Sequence, residues 1–150
     1  MKHKNIAQLC HYAESPETLE LIVEFCNNHL YFVDRLEENL DPIDDNRLLK
    51  KYATEILEAL EYIHSKGVVH ADIKLANILL HRESEDDEEV IKLIDFGLSL
   101  VIDPQNDGKA CMSKTSGTFG YMAPELKGSD IRVGPEIDMW ALGIVLYKMC

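Results

Sequence analysis

The run His70-Ala71-Asp72-Ile73-Lys74-Leu75-Ala76-Asn77 decides how this chain is read. Asp72, Lys74 and Asn77 fall close together in the gap between two short apolar runs, Val68-Val69 before and Ile78-Leu79-Leu80 after. The flanks have strand-like content, rich in β-branched and aliphatic side chains. Two anchored ends make a loop short enough for its polar groups to converge. An acid can take or orient a proton, a lysine can hold a phosphate oxygen, and an amide oxygen can bind a hard metal ion. By itself the trio is also compatible with an ordinary polar loop.

Three further motifs follow in order: Asp95-Phe96-Gly97, Ala123-Pro124-Glu125, and Asp138 with Trp140 and Gly143. The first begins eighteen residues after Asn77 and follows the apolar run Val90-Ile91-Lys92-Leu93-Ile94. Together the four motifs resemble the signature set of the eukaryotic protein kinases, of the serine/threonine type. The resemblance runs from about His3 to Cys150. It implies an α+β, protein-kinase-like fold in truncated form. Residues 3–26 would be the last strands of the small lobe and the hinge, and residues 27–150 the large lobe through its helix F. It also implies a transferase that uses ATP and Mg²⁺ and acts on the serine or threonine of a protein.

Composition excludes several other classes. The chain has 150 residues and a net charge of −12, which argues against nucleic acid and anionic membrane surfaces as partners. At this length one domain with a real core is expected. The apolar run Ala141–Tyr147 is far too short to span a bilayer. Met1-Lys2-His3-Lys4 is basic but leads into no apolar stretch of the signal-peptide kind. Cys10, Cys26, Cys111 and Cys150 lack metal-type spacing, so reduced thiols in a cytoplasmic or nuclear protein are expected.

Local patterns place these motifs on elements. Ile6–His11 and Leu19–Phe25 read as strands, with Glu14-Ser15-Pro16-Glu17 as the turn between them. Their apolar residues are equally well read as core. A short helix is expected from about His29 to Glu38, with Glu37 and Glu38 on a solvated face. Asp44-Asp45-Asn46 offers a cap for a long helix. Its Leu48, Leu49, Tyr52, Ile56, Leu60 and Ile63 recur every three or four residues. Ser65-Lys66-Gly67 ends it. Glu83–Glu89 holds six acids in seven residues and reads as a solvated hairpin tip. Residues 98–122 are expected as a polar segment, mobile over Asp103–Gly108. Pro135 opens a final helix, in which Ile137, Trp140, Leu142, Ile144, Val145 and Met149 are expected to be buried all round.

The resemblance also implies roles residue by residue. Asp72 would accept or orient the substrate hydroxyl proton, Lys74 would hold the γ-phosphate, and Thr118 would contact both. Asn77 and Asp95 would ligate Mg²⁺. Val23 would be the gatekeeper of the adenine pocket, Glu24-Phe25-Cys26 the hinge beside adenine, and Leu79 the floor beneath it, supported by Val145 and Met149. His70 would pack under Phe96, and Asp138 would bond the loop backbone. Phe119 and Met122 would line an apolar pocket for the residue after the phosphoacceptor. Glu125 would be exposed. Ser113, Thr115 and Ser116 are candidate phosphosites. Most of the family has arginine where this chain has Ala71, and that arginine receives the phosphate of the activation segment. Alanine cannot, so activation is expected to depend little on phosphate.

The glycine-rich loop, the strand-three lysine and the helix-C glutamate have no counterpart before residue 3, and helices G, H and I none after Cys150. The expectation is a central fragment whose activity is impaired by truncation, with Met1 read as an internal methionine of a truncated gene model. The alternatives are a non-catalytic, pseudokinase-like interaction module and a truncated gene-model product.

Overall fold

The computed structural model describes residues 1–28, 32–38, 41–102, 108–112, 116–127 and 131–150, without the side chains of Asp34 and Glu38. The scaffold for everything else is the helix α1 (Asn46–Ser65). Asp45 caps it, its side chain accepting from the amides of Arg47 at 2.8 Å and Leu48 at 3.4 Å. Gly67, at φ +70°, takes the left-handed turn that stops it. Tyr52, Ile56, Ala59, Leu60 and Ile63 form its buried stripe, as the three-and-four spacing requires. Leu48 and Leu49 pack part-buried at its edge.

The chain leaves α1 into β3 (Val68–Val69) and the polar loop, then into β4 (Ile78–His81) and β5 (Val90–Leu93). β4 and β5 pair antiparallel, Ile78 opposite Leu93 and His81 opposite Val90, so the acid-rich run Glu83–Glu89 is the exposed tip of a hairpin. The buried Glu55 of α1 clamps this hairpin, accepting from the Ile91 amide at 2.8 Å. Ile78, Leu80, Ile91 and Leu93 join the α1 stripe in one core with Leu142, Val145 and Met149 of α2 (Glu136–Met149).

Several details differ from the sequence reading. The first strand, β1, is Leu9–Glu14 and not Ile6–His11. Ile6 is instead buried and forms a parallel bridge to Leu93. β1 pairs antiparallel with β2 (Leu19–Val23), and every residue of both strands is exposed. Two strands bury little without a second layer, so reading them as core is corrected. The helix expected over 29–38 is a π-helix at Val33–Glu38, preceded by Phe32, and residues 29–31 lie outside the described residues. In α2 the buried residues are Ile137, Asp138, Ala141, Leu142, Val145 and Met149, which form one face. Trp140 is 48% exposed, so burial all round is also corrected.

The segment after Asp95-Phe96-Gly97 is more structured than expected. β6 (Leu100–Val101) pairs antiparallel with β3. β7 (Ala110–Met112) pairs antiparallel with β8 (Ile131–Val133). Ala110, Met112 and Val133 are buried in a second core with Val69, Ala71, Ala123, Leu126 and Ile137. Residues 103–107, expected to be mobile, lie outside the described residues. Replacing Asp45 by alanine should remove the cap on α1 and lower the unfolding free energy by about 1 kcal/mol, measured by urea denaturation.

Candidate active site

One fully buried carboxylate sets the loop between β3 and β4. Asp138, in the first turn of α2, accepts from the His70 amide at 2.8 Å through Oδ2 and from the Ala71 amide at 2.9 Å through Oδ1. The same Oδ2 lies 2.8 Å from Nε2 of His64, near the C-terminal end of α1. A dry carboxylate demands such partners. The result joins α1, the loop and α2 at one point. It holds Ala71 at φ +64°, a conformation that costs a non-glycine residue energy and needs a surrounding structure to impose it. His64 was not singled out in the sequence, where it looks like one more residue near a helix end.

His70 is buried and its ring packs tilted against Phe96, centroids 4.8 Å apart, as expected. Its Nδ1 accepts from the Asp72 amide at 3.3 Å, so the ring proton sits on Nε2 and is donated to the Ile94 carbonyl at 2.9 Å. Burial pushes the imidazole below its usual range, against the Ile94 bond and the nearby carboxylates. The ring is therefore a neutral strut between loop and strand.

Beyond that strut, Asp72, Lys74 and Thr118 close a three-way contact. Lys74 Nζ donates to Asp72 Oδ2 at 2.7 Å and to Thr118 Oγ1 at 2.9 Å. The Thr118 hydroxyl donates to Asp72 Oδ1 at 2.7 Å. Asn77 adds its amide nitrogen, 2.9 Å from the Asp72 carbonyl and 3.2 Å from Oδ2. Burial alone would raise the Asp72 carboxyl. The bonds from Lys74, Thr118 and Asn77 outweigh it and hold the group below its usual range.

The donor set near Asn77 fits a hard cation. Its amide nitrogen is committed to Asp72, which turns its oxygen away from that acid. The Ile94 amide donates to the Asn77 carbonyl at 3.0 Å, so Asp95 follows the strand position beside Asn77. Asp95 is exposed, at φ +61°, and one of its oxygens accepts from the Gly97 amide at 3.1 Å. A carboxylate and an amide oxygen are ligands of the kind Mg²⁺ takes.

Of the four residues expected around the nucleotide base, Leu79 and Glu24 come together at the β4–β5 hairpin. Lys92 stands directly opposite Leu79, so the two side chains share a face. Lys92 pairs with Glu24 at 2.7 Å. Burial opposes ionisation of Glu24, and the bonds from Lys92 and from the Gln8 amide outweigh it and lower its carboxyl. Asn28 then bridges to Leu80, with backbone bonds of 3.2 and 3.3 Å. The segment expected as the hinge is thus fastened to the strand that carries Leu79, and its Cys26 is buried. Val23, at the end of β2, is 54% exposed. Leu79 faces away from the core that Ile78 and Leu80 share with Val145 and Met149, so direct support of Leu79 by those two residues is corrected. Strand alternation sends neighbours to opposite faces.

On the acceptor side, Met122 lines a small cavity with Asp72, Thr118 and Tyr121, and Phe119 is 91% exposed on the same segment. Gly117, at φ +119°, passes so close to the Ala71 carbonyl that a Cβ there would sit 3.3 Å from it. Ser116 is half-buried and Glu125 is exposed, whereas Ser113 and Thr115 lie outside the described residues. Among the described residues no helix is long and apolar enough to cross a membrane.

A buried aspartate thus braces a loop on which an acid, a lysine, a threonine and an amide meet. The sequence profile of the protein kinase domain matches residues 1–150, and the chain belongs to that family. It is 36% identical over 150 residues to a probable serine/threonine-protein kinase KIN1 homolog of Encephalitozoon cuniculi, covering 99% of this chain and 24% of that protein. It is also 36% identical over 148 residues to the mouse calcium/calmodulin-dependent protein kinase type IV, covering 98% of this chain and 29% of that protein. The human hormonally up-regulated neu tumor-associated kinase is 34% identical over 160 residues, with 99% and 20% covered. The chain thus spans about a quarter of the length of these relatives.

Asp138→Ala should strand the two loop amides and His64 without their acceptor. Each buried unpaired group costs about 1–3 kcal/mol, so a loss of about 3 kcal/mol or more is expected in urea denaturation. His70 adds a pH dependence. Its folded imidazole resists protonation, while the unfolded one titrates near about 6.5. Unfolded chains therefore take up more protons as pH drops below that value, and stability falls. Melting temperatures measured from neutral pH downward should fall less steeply for His70→Asn than for the native chain.

Proposed function

We propose that this chain carries the catalytic loop and metal ligands of a serine/threonine protein kinase, using ATP and Mg²⁺ to phosphorylate protein hydroxyls. The observation that carries the reading is the closed Asp72–Lys74–Thr118 contact with Asn77 bonded to the same acid. Bound Mg-ATP would supply the transferable phosphoryl group. Asp72, ionised and held low by its three donors, is a weak base. Its work is to accept a hydrogen bond from the incoming hydroxyl and aim that oxygen. Lys74 spends two of its three donors on Asp72 and Thr118, which leaves one for a phosphate oxygen. Thr118 fixes the distance between acid and lysine. Asn77 and Asp95 would hold the metal, and Glu24, Cys26, Leu79 and Val23 would border the nucleotide base. The threonine in contact with the acid and the lysine two residues after it favour serine or threonine as acceptor. A cytoplasmic or nuclear site of action fits the cysteine pattern.

Ala71 supports activation without a phosphorylated segment. It is buried among apolar side chains and offers no cation to a phosphate. The 150 residues contain nothing that reads as a glycine-rich loop or strand-three lysine, so on their own they should transfer phosphate at or near background. A non-catalytic interaction module is the second reading, favoured by the fully exposed β1–β2 hairpin.

Thermal shift separates the two readings. Mg-ATP should raise the melting temperature of the chain more than ATP with a chelator, and Asp95→Asn should erase that difference. No shift in either condition would sink the kinase reading in favour of the module. Transfer to a serine/threonine peptide library should not exceed that of Asp72→Asn, since losing even one preorganised donor costs about 10² to 10³ in rate. A clear excess would show that the missing clamp is supplied in another way.

A further inference from the structure

A second polar cluster stands beside the Asp72 contact and joins three elements. The Tyr121 hydroxyl donates to Oε1 of Glu37, which lies on the π-helix. Lys148, in the last turn of α2, reaches the same oxygen at 3.2 Å and sits over the Tyr121 ring, 4.8 Å from its centroid. The sequence suggested a solvated face for Glu37. The structure gives it two partners instead, with its side chain 31% exposed.

The cluster is close to the acid. The Tyr121 amide donates to the Thr118 carbonyl at 3.1 Å, and the Thr118 hydroxyl in turn donates to Asp72. Tyr121 and Asp72 line the same small cavity. Burial alone would raise the Glu37 carboxyl, but the bonds from Tyr121 and Lys148, with the nearby Lys74 charge, lower it. An ionised carboxylate bonded to Tyr121, which lines the same cavity as Asp72, is suited to receive a basic substrate side chain. Here an internal ammonium already occupies it, and a tethered cation competes at high effective concentration.

We infer that Lys148 determines specificity: it takes Glu37 in place of a substrate arginine or lysine and closes the acceptor site to polypeptides that are basic at that position. The inference rests on the kinase reading for what the acceptor site is for. It assigns a substrate class, polypeptides without a cation opposite Glu37, and it makes one substitution sufficient to open the site. Lys148→Ala leaves the carboxylate, among the described residues, with Tyr121, free to bond an incoming guanidinium. Glu37→Gln removes the receptor whatever stands at 148.

The test measures peptide binding, which needs no turnover. Labelled peptides with one serine carry arginine or alanine in turn at each flanking position, and anisotropy reads their affinity for the full chain. The native chain should bind the arginine version no tighter than the alanine version at every position, and more weakly at the one opposite Glu37. Lys148→Ala should bind the arginine version about tenfold tighter at one position, a difference of about 1.4 kcal/mol. That gain should vanish in the Lys148→Ala, Glu37→Gln double variant. Lys148→Met, which keeps an apolar stem over the Tyr121 ring, should repeat the gain and serves if the alanine variant loses its helical circular dichroism. The inference is overturned if neither Lys148 variant gains a preference, if the gain survives Glu37→Gln, or if the native chain already prefers arginine. Failure of every protein to bind any peptide overturns it too. A Mg-ATP thermal shift on the same samples then shows whether the kinase reading stands without it.

Discussion

The arrangement depends on satisfying one buried negative charge. Asp138 sits without solvent at the start of α2, and its two oxygens have three polar partners from two other parts of the chain. Taking a carboxylate out of water costs several kcal/mol unless such partners are present. The loop therefore cannot drift from α2 without exposing the penalty. That rigidity fixes the backbone at His70 and Ala71, and so fixes where Asp72 begins. The position of Asp72 is inherited from a packing constraint on the opposite side of the loop.

From that anchor the site is built outward in layers of decreasing burial. His70 is a neutral ring wedged between loop, strand and Phe96. Asp72 is next, mostly buried but charged, stabilised by donors from its own loop and from Thr118. Asp95 is outermost and exposed, with one oxygen tied to its own turn. The gradient suits the chemistry. The groups that set the backbone are dry, and the one proposed to meet a hydrated cation is wet. The segment carrying Thr118 is held in turn by the second core, where Ala123, Leu126 and Ile137 pack under Ala71.

Much of this was legible before any coordinates. The spacing of Leu48 through Ile63 marked α1 and its cap, and the apolar runs around Glu83–Glu89 marked the β4–β5 hairpin. Asp72, Lys74, Asn77, Thr118 and Asp138 were each picked out by motif, and the structure brings the first four together and sets the fifth beneath them. Other features were hidden. His64 and Glu55 sit on an amphipathic helix, where nothing local separates a buried polar group from a surface one. The pairing of Ala110–Met112 with Ile131–Val133 joins short strands eighteen residues apart, too brief to show a period. Trp140 misled because a large apolar side chain signals burial only on average.

The sequence by itself determined the family, the helices α1 and α2, the β4–β5 hairpin and the identity of the side chains that meet at the loop. These follow from local rules: periodicity, caps, and residue types that chemistry cannot replace. Only the tertiary structure decided which partners the charges have. Glu37 could be solvent-facing or bonded, and Lys148 could be a plain helix cation, until α2 and the π-helix were brought together on Tyr121. Likewise Asp138 could have been an ordinary first-turn acid. The physical reason is the same throughout. An electrostatic contact depends on distance and dielectric in three dimensions, and neither is a property of positions along a chain.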